Sequence, residues 1–248
     1  IYTSLMSAAS DVYKRQPALS KLLARLPVQD DGEALRQSLF HSGTHFNPDL
    51  LTSEAERRAR LEGVHAALDR AESLVFLDTE STGGRNGRLI EVALVETDVE
   101  QNVTGGLHFR CNPHRRSLAG ARRVHGIQDC ELEHCPEFAA RADELLEAVR
   151  GKTVVIHDRT MDLLWLNREL QAARPGAPRF EDRCTVVDSF VLARAIPSER
   201  RRNGLDALLE WYGLGARGGH HDAYGDAALL SRVFFELWWD LDEWLYGE

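Results

Sequence analysis

Two acidic side chains stand close together at the end of an apolar run. Asp78 and Glu80 follow Leu74-Val75-Phe76-Leu77, which is typical of a buried strand. Side chains two residues apart on a strand point to the same face, so both carboxylates face the same way. Two buried like charges cannot both stay ionised without a cation, which indicates a metal site. Alone, the pair also fits a frayed strand end with solvated acids.

Three residues further along the chain could complete such a site. Asp162 falls in the first turn of a predicted helix that follows an apolar strand, where α/β sheets place their sites. His221 stands five residues before Asp226, which opens another predicted helix. Taken alone, Asp226 could be an acid that interacts favourably with the positive end of the helix dipole, and His221 could be a residue of a surface loop. Together, the set offers four carboxylates and one base from three separate segments.

The elements that must position these residues form an α/β pattern. Apolar runs predict five strands, at 73–81, 89–96, 103–110, 153–157 and 183–187. Residues 83–87 form a predicted hairpin loop, in which Asn86-Gly87 supplies the positive φ. Helices are predicted at 137–150, 160–173, near 191, at 205–212 and at 226–241, and an irregular stretch follows the third strand. The order describes a mixed five-stranded sheet flanked by helices.

The first 70 residues are expected to lie outside this sheet. Residues 1–16 match no structural pattern, lack the features of a signal peptide and resemble translated adapter sequence, so we expect a non-native leader. Residues 17–70 predict a short helical N-terminal appendage, whose last helix Ser53 caps. This appendage could pack on the main domain or dock a partner. The main domain is expected at 71–248.

Composition excludes several classes of protein. The chain has 248 residues, 43% hydrophobic and 28% charged, which suits a globular domain and neither a disordered nor a collagen-like chain. No apolar run reaches the roughly 18 residues of a transmembrane helix, so no membrane partner is expected. Four cysteines in this length form no disulfide framework and favour a cytoplasmic location. The net charge of −9 means that a bound polyanion needs a local device to reverse the sign.

The acids stand within longer segments that carry a known pattern. The run FLDTESTG occupies 76–83, LIEVA occupies 89–93 and VHGI occupies 124–127. With Asp162, and with His221 five residues before Asp226, these segments resemble the motifs of the DEDDh 3′–5′ exonucleases. That family includes the proofreading epsilon subunit of bacterial DNA polymerase III, ribonuclease T and oligoribonuclease. Its tyrosine-bearing branch is excluded, since that branch needs Tyr where this chain has Asp at 222.

The resemblance implies a ribonuclease H-like exonuclease fold and a metal-dependent 3′–5′ exonuclease. Such an enzyme hydrolyses phosphodiester bonds at single-stranded 3′ ends and releases nucleoside 5′-monophosphates, with DNA favoured as in proofreading and repair. It also implies two divalent cations, Mg²⁺ or Mn²⁺, which hard oxygen ligands suit. Asp78 would bridge both cations, and Asp162 would act largely through water. The implied ligands are Asp78, Glu80, Asp162 and Asp226.

Proton transfer and substrate contacts follow from the same resemblance. His221 would accept the proton of the attacking water, and His220, one residue further from Asp226, competes for that role. Thr82 would contact the terminal nucleotide. The candidate phosphate contacts are Arg122, Arg123 and residues 200–202. The alternative is that these arginines belong to a solvated, charged face of the protein.

One segment departs from the family pattern. The second motif of the family usually has His-Asn-Ala-x-Phe-Asp, and this chain has His-Asp-Arg-Thr-Met-Asp at 157–162. The changes at Asp158, Arg159 and Met161 motivate an alternative, a weakened nuclease domain that binds nucleic acid or protein without cutting. A second alternative is an RNA-trimming exoribonuclease. The expected partner is the 3′ end of single-stranded DNA or RNA, and a DNA polymerase subunit and a homodimer stay open.

Other polar and aromatic features are assigned to structure. Cys130, His134 and Cys135 have no further ligand at a recognised zinc spacing. Asp188 is predicted to cap a helix. Aromatic residues between 234 and 244 recur at helical spacing, which predicts core or a protein interface.

Overall fold

A five-stranded mixed sheet forms the centre of the fold. The structure is a computed structural model and describes residues 53–247, so the predictions for 1–16 and for 17–52 lie outside the described residues. The strands are β1 Ser73–Ser81, β2 Leu89–Asp98, β3 Val103–Arg110, β4 Thr153–Ile156 and β5 Thr185–Asp188. Across the sheet they are ordered β3-β2-β1-β4-β5. β1 to β3 are antiparallel neighbours, and β4 and β5 run parallel to β1, which confirms the predicted mixed sheet.

Eight α-helices lie around the sheet in the described part of the chain. They are α1 Glu54–Leu68, α2 Ala119–His125, α3 Asp129–Leu132, α4 Ala142–Ala148, α5 Thr160–Ala173, α6 Ser189–Ala195, α7 Leu205–Trp211 and α8 Ala223–Tyr246. The stretch predicted as irregular after β3 holds α2 and α3, which are too short to show an apolar period. The helix predicted at 137–150 is divided at Arg141, whose φ of −114° separates a 3₁₀ turn from α4.

Alternate residues of β1 face two separate cores. Phe76 packs on the face covered by α1, α6, α7 and α8, and its ring centroid lies 5.7 Å from that of Phe234. Val75 and Leu77 pack on the opposite face, against α4 and α5. The acids at 78 and 80 share the parity of Phe76, so they emerge on the α8 face of the sheet.

The loop between β1 and β2 differs from the prediction in its backbone. Positive φ falls on Gly83 (90°) and Gly84 (70°), not on Asn86-Gly87. The predicted hairpin turn is wrong in this respect, because the loop is closed earlier, where Gly87 N donates to Gly84 O at 2.8 Å. Trp165 Nε1 on α5 donates to Gly84 O as well, at 3.2 Å. Helix α5 therefore holds this loop against the sheet.

Helix α1 packs against α8. Ser53 caps it as predicted, since its hydroxyl accepts a hydrogen bond from Glu56 N. Leu61 and Leu68 of α1 are buried in the core that they share with α8. For this helix the packing alternative therefore holds, and the domain boundary at 71 stays a prediction.

None of the described helices is long and apolar enough to cross a bilayer. Of the aromatic residues of α8, Phe234 and Phe235 are buried in the core, and Trp238 and Trp244 are half-buried and pack against it. All four cysteines are free thiols.

Candidate active site

The carboxyl end of β1 carries two acids that repel each other. Glu80 is buried, and burial followed by the charges of Asp226 and Glu91 raises its pKa to about 8. Burial also raises the pKa of Asp78 well above its usual range. Three nearby carboxyl groups raise it further, those of Asp162, Glu80 and Asp226. A frayed strand end with solvated acids does not describe this pair.

Asp162 reaches the same place from the first turn of α5. Its side chain is buried, and Thr79 Oγ1 donates a hydrogen bond to its Oδ1 at 2.6 Å. Burial raises the pKa of Asp162 to about 7, and the hydrogen bond from Thr79 opposes that rise. Because Thr79 is the residue between the two acids of β1, this bond ties α5 to the strand end.

Helix α8 and the loop before it supply Asp226 and His221. Asp222 caps the helix, since its Oδ1 accepts from Gly225 N at 2.8 Å, and this puts Asp226 in the first turn. Burial raises the pKa of Asp226 to about 6, although the charge of Arg217 lowers it. His221 Nδ1 lies 3.3 Å from Asp226 Oδ2. The loop is anchored at this point, because His221 N donates to the carbonyl oxygen at position 124.

The arrangement fits a divalent cation. Ligand atoms of Glu80, His221 and Asp226 lie within 4.8 Å of one another, and no other such group occurs among residues 53–247. Carboxylate oxygens are the ligands that Mg²⁺ and Mn²⁺ prefer. These buried carboxyl groups raise one another's pKa, so they form a negative site that bound cations would neutralise.

Arg217, four residues before His221, reaches into the same cluster. Its Nη1 contacts Asp226 Oδ2 and lies 2.6 Å from His221 Nδ1. Burial and the charge of Arg217 lower the pKa of His221, so the ring is neutral at neutral pH and can accept a proton. Sequence reasoning missed Arg217 because an arginine in a glycine-rich loop is usually solvated. Its spacing from the histidine was the available signal.

Glu91 of β2 is a second residue whose part in the site was missed. It is 1% exposed and pairs in register with Glu80. Its Oε2 accepts from the backbone N of Ala223, the first residue of α8, at 3.0 Å. Burial would raise its pKa, but the hydrogen bond from Arg110 and the other donors lower it below its usual value. Glu91 fixes the start of α8 to the sheet, and the signal was an acid inside an apolar strand.

The predicted substrate contacts lie at different depths. Thr82 is 1% exposed, and its hydroxyl accepts from Arg88 N at 3.0 Å, which shapes the β1–β2 loop. Arg122 forms an ion pair with Asp129 at 2.8 Å. Arg123 is exposed and makes no ion pair within the described part of the chain. Contact with a nucleotide stays a prediction for all three.

Two other residues considered from the sequence lie away from the cluster. The guanidinium of Arg200 is buried and contacts Tyr212 and Asp240, so the predicted phosphate contact of Arg200 is wrong. The ring of His220 lies over Gly126, where an added Cβ would stand 2.7 Å from it. Of the two histidines, it is His221 that faces the carboxylates.

The departures in the second motif leave Asp162 in position. Asp158 has φ +57°, a left-handed conformation that Asn and Asp tolerate better than most residues. Its backbone N donates to Asp188 Oδ1 at 3.2 Å, and Arg159 lies 4.0 Å from the same carboxylate. Asp188 also accepts from Phe190 N, which confirms it as the cap of α6. The Asn-to-Asp change therefore suits the backbone at this position.

Comparison with known proteins identifies the family. Residues 75–234 match the family model described as Exonuclease. The DNA polymerase III subunit epsilon of Rickettsia felis is 34% identical over 168 residues, which are 66% of this chain and 72% of that protein. The Escherichia coli K12 subunit epsilon is 33% identical over 172 residues, 66% of this chain and 70% of that protein.

A solved structure shows the same fold. The zinc-bound complex of E. coli exonuclease I with single-stranded DNA matches at a TM-score of 0.53 and 20% identity, over 69% of this chain and 40% of that chain. This chain thus spans less than half of that protein. The likeness confirms the ribonuclease H-like exonuclease fold. By the family match and its relatives, the chain belongs to the DEDDh-type 3′–5′ exonuclease family.

Proposed function

We propose that this chain hydrolyses the last phosphodiester bond at the 3′ end of single-stranded DNA and releases nucleoside 5′-monophosphates, as a proofreading or repair exonuclease. The observation that supports this most is the convergence of Glu80, His221 and Asp226 within 4.8 Å at the carboxyl end of β1. Its relatives are named as subunits of a DNA polymerase, which favours DNA as the substrate.

The site holds two divalent cations, Mg²⁺ or Mn²⁺, in this proposal. Their ligands are the four carboxylates Asp78, Glu80, Asp162 and Asp226. Such ions lower the pKa of bound water and offset the charge that builds on the phosphate. The crowding of buried carboxyl groups supports the assignment, because it leaves a negative site that cations neutralise. A neutralised site can take a phosphodiester despite a net charge of −9.

The remaining residues orient groups and move a proton. Burial, the largest cause, lowers the pKa of His221 below its usual value, which favours the neutral ring that can accept the proton of the attacking water. Thr79 holds Asp162 by its hydrogen bond of 2.6 Å. Glu91 positions α8, and with it Asp226, through the hydrogen bond from Ala223 N.

The test is digestion of a 5′-labelled single-stranded DNA oligonucleotide with Mg²⁺ or Mn²⁺. We expect a ladder that shortens from the 3′ end and nucleoside 5′-monophosphates as products. The matched control is Asp226→Asn, which keeps the size of the side chain but removes a metal-binding charge, and it should give no ladder. Full-length oligonucleotide after incubation with either metal would contradict the proposal.

The same assay separates the two alternatives. A nuclease domain that only binds would retain the labelled strand in a mobility shift and cut it in neither metal. An RNA-trimming enzyme would digest RNA of the same sequence faster than DNA, and this result would replace DNA as the substrate. Asp158→Asn restores the residue that the family usually has, so a large gain in rate would show that the departure weakens this copy.

The partners and the location belong to the same proposal. We expect association with a DNA polymerase, since both relatives are named as its subunits. Four free thiols suit the reducing cytoplasm. Co-elution of the chain with DNA polymerase III on gel filtration tests the association, and separate elution at micromolar concentration would contradict it. A homodimer stays a prediction.

A further inference from the structure

Arg217 is a charged residue of the site to which the proposed function gives no role of its own. Its side chain is only 14% exposed, and the guanidinium lies between two carboxylates. Nη1 contacts Asp226 Oδ2, and Nε donates to Asp206 Oδ1 at 2.9 Å. Arginine stays charged at any pH that the protein tolerates, so it brings a fixed positive charge into the cluster.

That charge stands where a cation would be bound. Asp226 Oδ2, which Arg217 contacts, is also the oxygen 3.3 Å from His221. A cation bound to this oxygen would lie beside the guanidinium of Arg217, which already contacts the same oxygen. Two positive charges at such short range repel strongly in a site shielded from water. The arginine and the cation therefore exclude each other from Asp226.

We propose that Arg217 is a built-in counter-ion of the metal-free site, which divalent metal displaces from Asp226 on binding. The inference rests on the proposed function, because it takes Asp226 as a metal ligand. In the metal-free protein, Arg217 offsets part of the repulsion among the acids of β1 and α8. Its charge acts on Asp78 and Glu80 as well as on Asp226. Metal loading must break this pair, so Arg217 weakens metal binding.

The surroundings of Arg217 allow it to leave Asp226 at a small cost in free energy. Its second partner, Asp206, is largely exposed at the start of α7 and can keep the guanidinium after Asp226 is lost. Two glycines follow the arginine, and an added Cβ at Gly218 or Gly219 would meet nothing within 4 Å. The backbone at Gly219 has φ +56°, which glycine adopts at little cost. The segment after the arginine therefore has open space beside its backbone, in which it can shift when Arg217 leaves Asp226.

Calorimetric titration with Mn²⁺ in the absence of DNA tests the proposal directly. We expect Arg217→Gln to bind Mn²⁺ about tenfold more tightly than the wild type, since a charged hydrogen bond no longer has to break. Arg174→Gln is the matched control, because Arg174 pairs with the exposed Asp143 at 3.0 Å on the surface. Its affinity for Mn²⁺ should equal that of the wild type. If Arg217→Gln does not fold, Arg217→Met, which also removes the charge, replaces it and should bind Mn²⁺ more tightly than the wild type.

Melting temperatures give a second readout that does not depend on catalysis. Without metal, Arg217→Gln should melt about 3 °C below the wild type, because the acids lose their counter-ion. In saturating Mn²⁺ the two proteins should melt together. Equal or weaker Mn²⁺ binding by the variant would overturn the inference and leave the proposed function intact. Absence of Mn²⁺ binding by the wild type would overturn both.

Discussion

At the scale of single residues, Asp78 illustrates how the fold prepares a group for metal. An apolar run precedes it on the strand, and three carboxyl groups raise its pKa through their charges. Burial and those charges raise its pKa, so an isolated carboxylate here is unstable. The free energy stored in this repulsion becomes available when a cation binds, and this makes the position sensitive to small changes in charge.

Asp78→Asn tests that position. The substitution keeps the size of the side chain and removes one repelling charge, so the metal-free protein should melt at or above the temperature of the wild type. Turnover should fall by about 10³-fold or more, because the amide lacks the negative charge with which Asp78 would hold a cation. Rates on labelled DNA and melting curves of the same samples measure both effects. Activity near that of the wild type would refute the role of Asp78.

Residue types and spacing were enough to find Glu80, His221 and Asp226, the three residues whose ligand atoms converge, because acids at a strand end or in the first turn of a helix stand out in a sequence. They were not enough for residues whose part depends on a contact between distant segments. Glu91 stands 132 positions from its helix partner Ala223. The prediction of a phosphate contact for Arg200 was wrong for a related reason. A sequence shows that a residue is charged but not whether its side chain is buried. The contacts of Arg217 depend on the conformation of its loop, which the sequence does not show.

At the scale of elements, the apolar period located the strands that carry the site. β1 and β3 have the predicted bounds, and β2 extends two residues beyond its predicted end. The short helices α2 and α3 were missed, because seven and four residues are fewer than the roughly 11 over which a helical pattern of apolar residues can be recognised. The prediction of positive φ at Asn86-Gly87 was wrong, because the conformation of a longer loop depends on what packs against it. Here Trp165 of α5 packs against the loop.

Helix α1 is joined to α8 by a buried histidine with two acidic partners. His65 lies 3.0 Å from both Asp69 and Asp242. Burial alone would lower the pKa of His65, but the hydrogen bonds and charges of Asp242 and Asp69 outweigh it and raise the pKa to about 9. The protonated ring therefore holds the two helices together at neutral pH.

This histidine makes the packing of α1 depend on pH. The folded pKa exceeds the ordinary value of 6.5, so the stabilisation is complete below that pH and is lost as pH rises through 9. The difference in free energy of unfolding between wild type and His65→Gln should shrink by about 3 kcal/mol from pH 6 to pH 10. Urea unfolding at a series of pH values measures it.

The matched control for His65 is a histidine in an exposed ion pair. His114 lies 2.8 Å from Glu137, and both side chains are exposed. Because exposed pairs contribute little, His114→Gln should leave the pH profile of the wild type unchanged. A constant difference between wild type and His65→Gln over the whole pH range would show that the ring is not protonated in the fold.

At the scale of the whole molecule, the acid cluster sets how stability depends on pH and metal. Burial first, and neighbouring charges second, raise the pKa of Glu80 to about 8, and burial raises that of Asp162 to about 7. Both values exceed those of the unfolded chain. The contribution of these two groups to stability is therefore largest below the unfolded values, and the metal-free protein loses that contribution as pH rises through the folded ones.

Manganese should reverse this loss. At about a hundred times its dissociation constant, Mn²⁺ should raise the melting temperature by about 5 °C or more near pH 7.5. The gain should be much smaller near pH 5.5, where protons already neutralise the acids. Differential scanning calorimetry with and without Mn²⁺ measures the gain, and Glu80→Gln should reduce it. A gain that is equal at both pH values would contradict the account of the cluster.

The order of the segments along the chain has a consequence during translation. The acids of β1 leave the ribosome first, but their partners on α8 are synthesised much later. A nascent polypeptide thus carries half of a catalytic centre, and the hydrogen bond from Ala223 to Glu91 forms only when the late helix docks. We expect nuclease activity to arise only after α8 has been synthesised and has docked on the sheet.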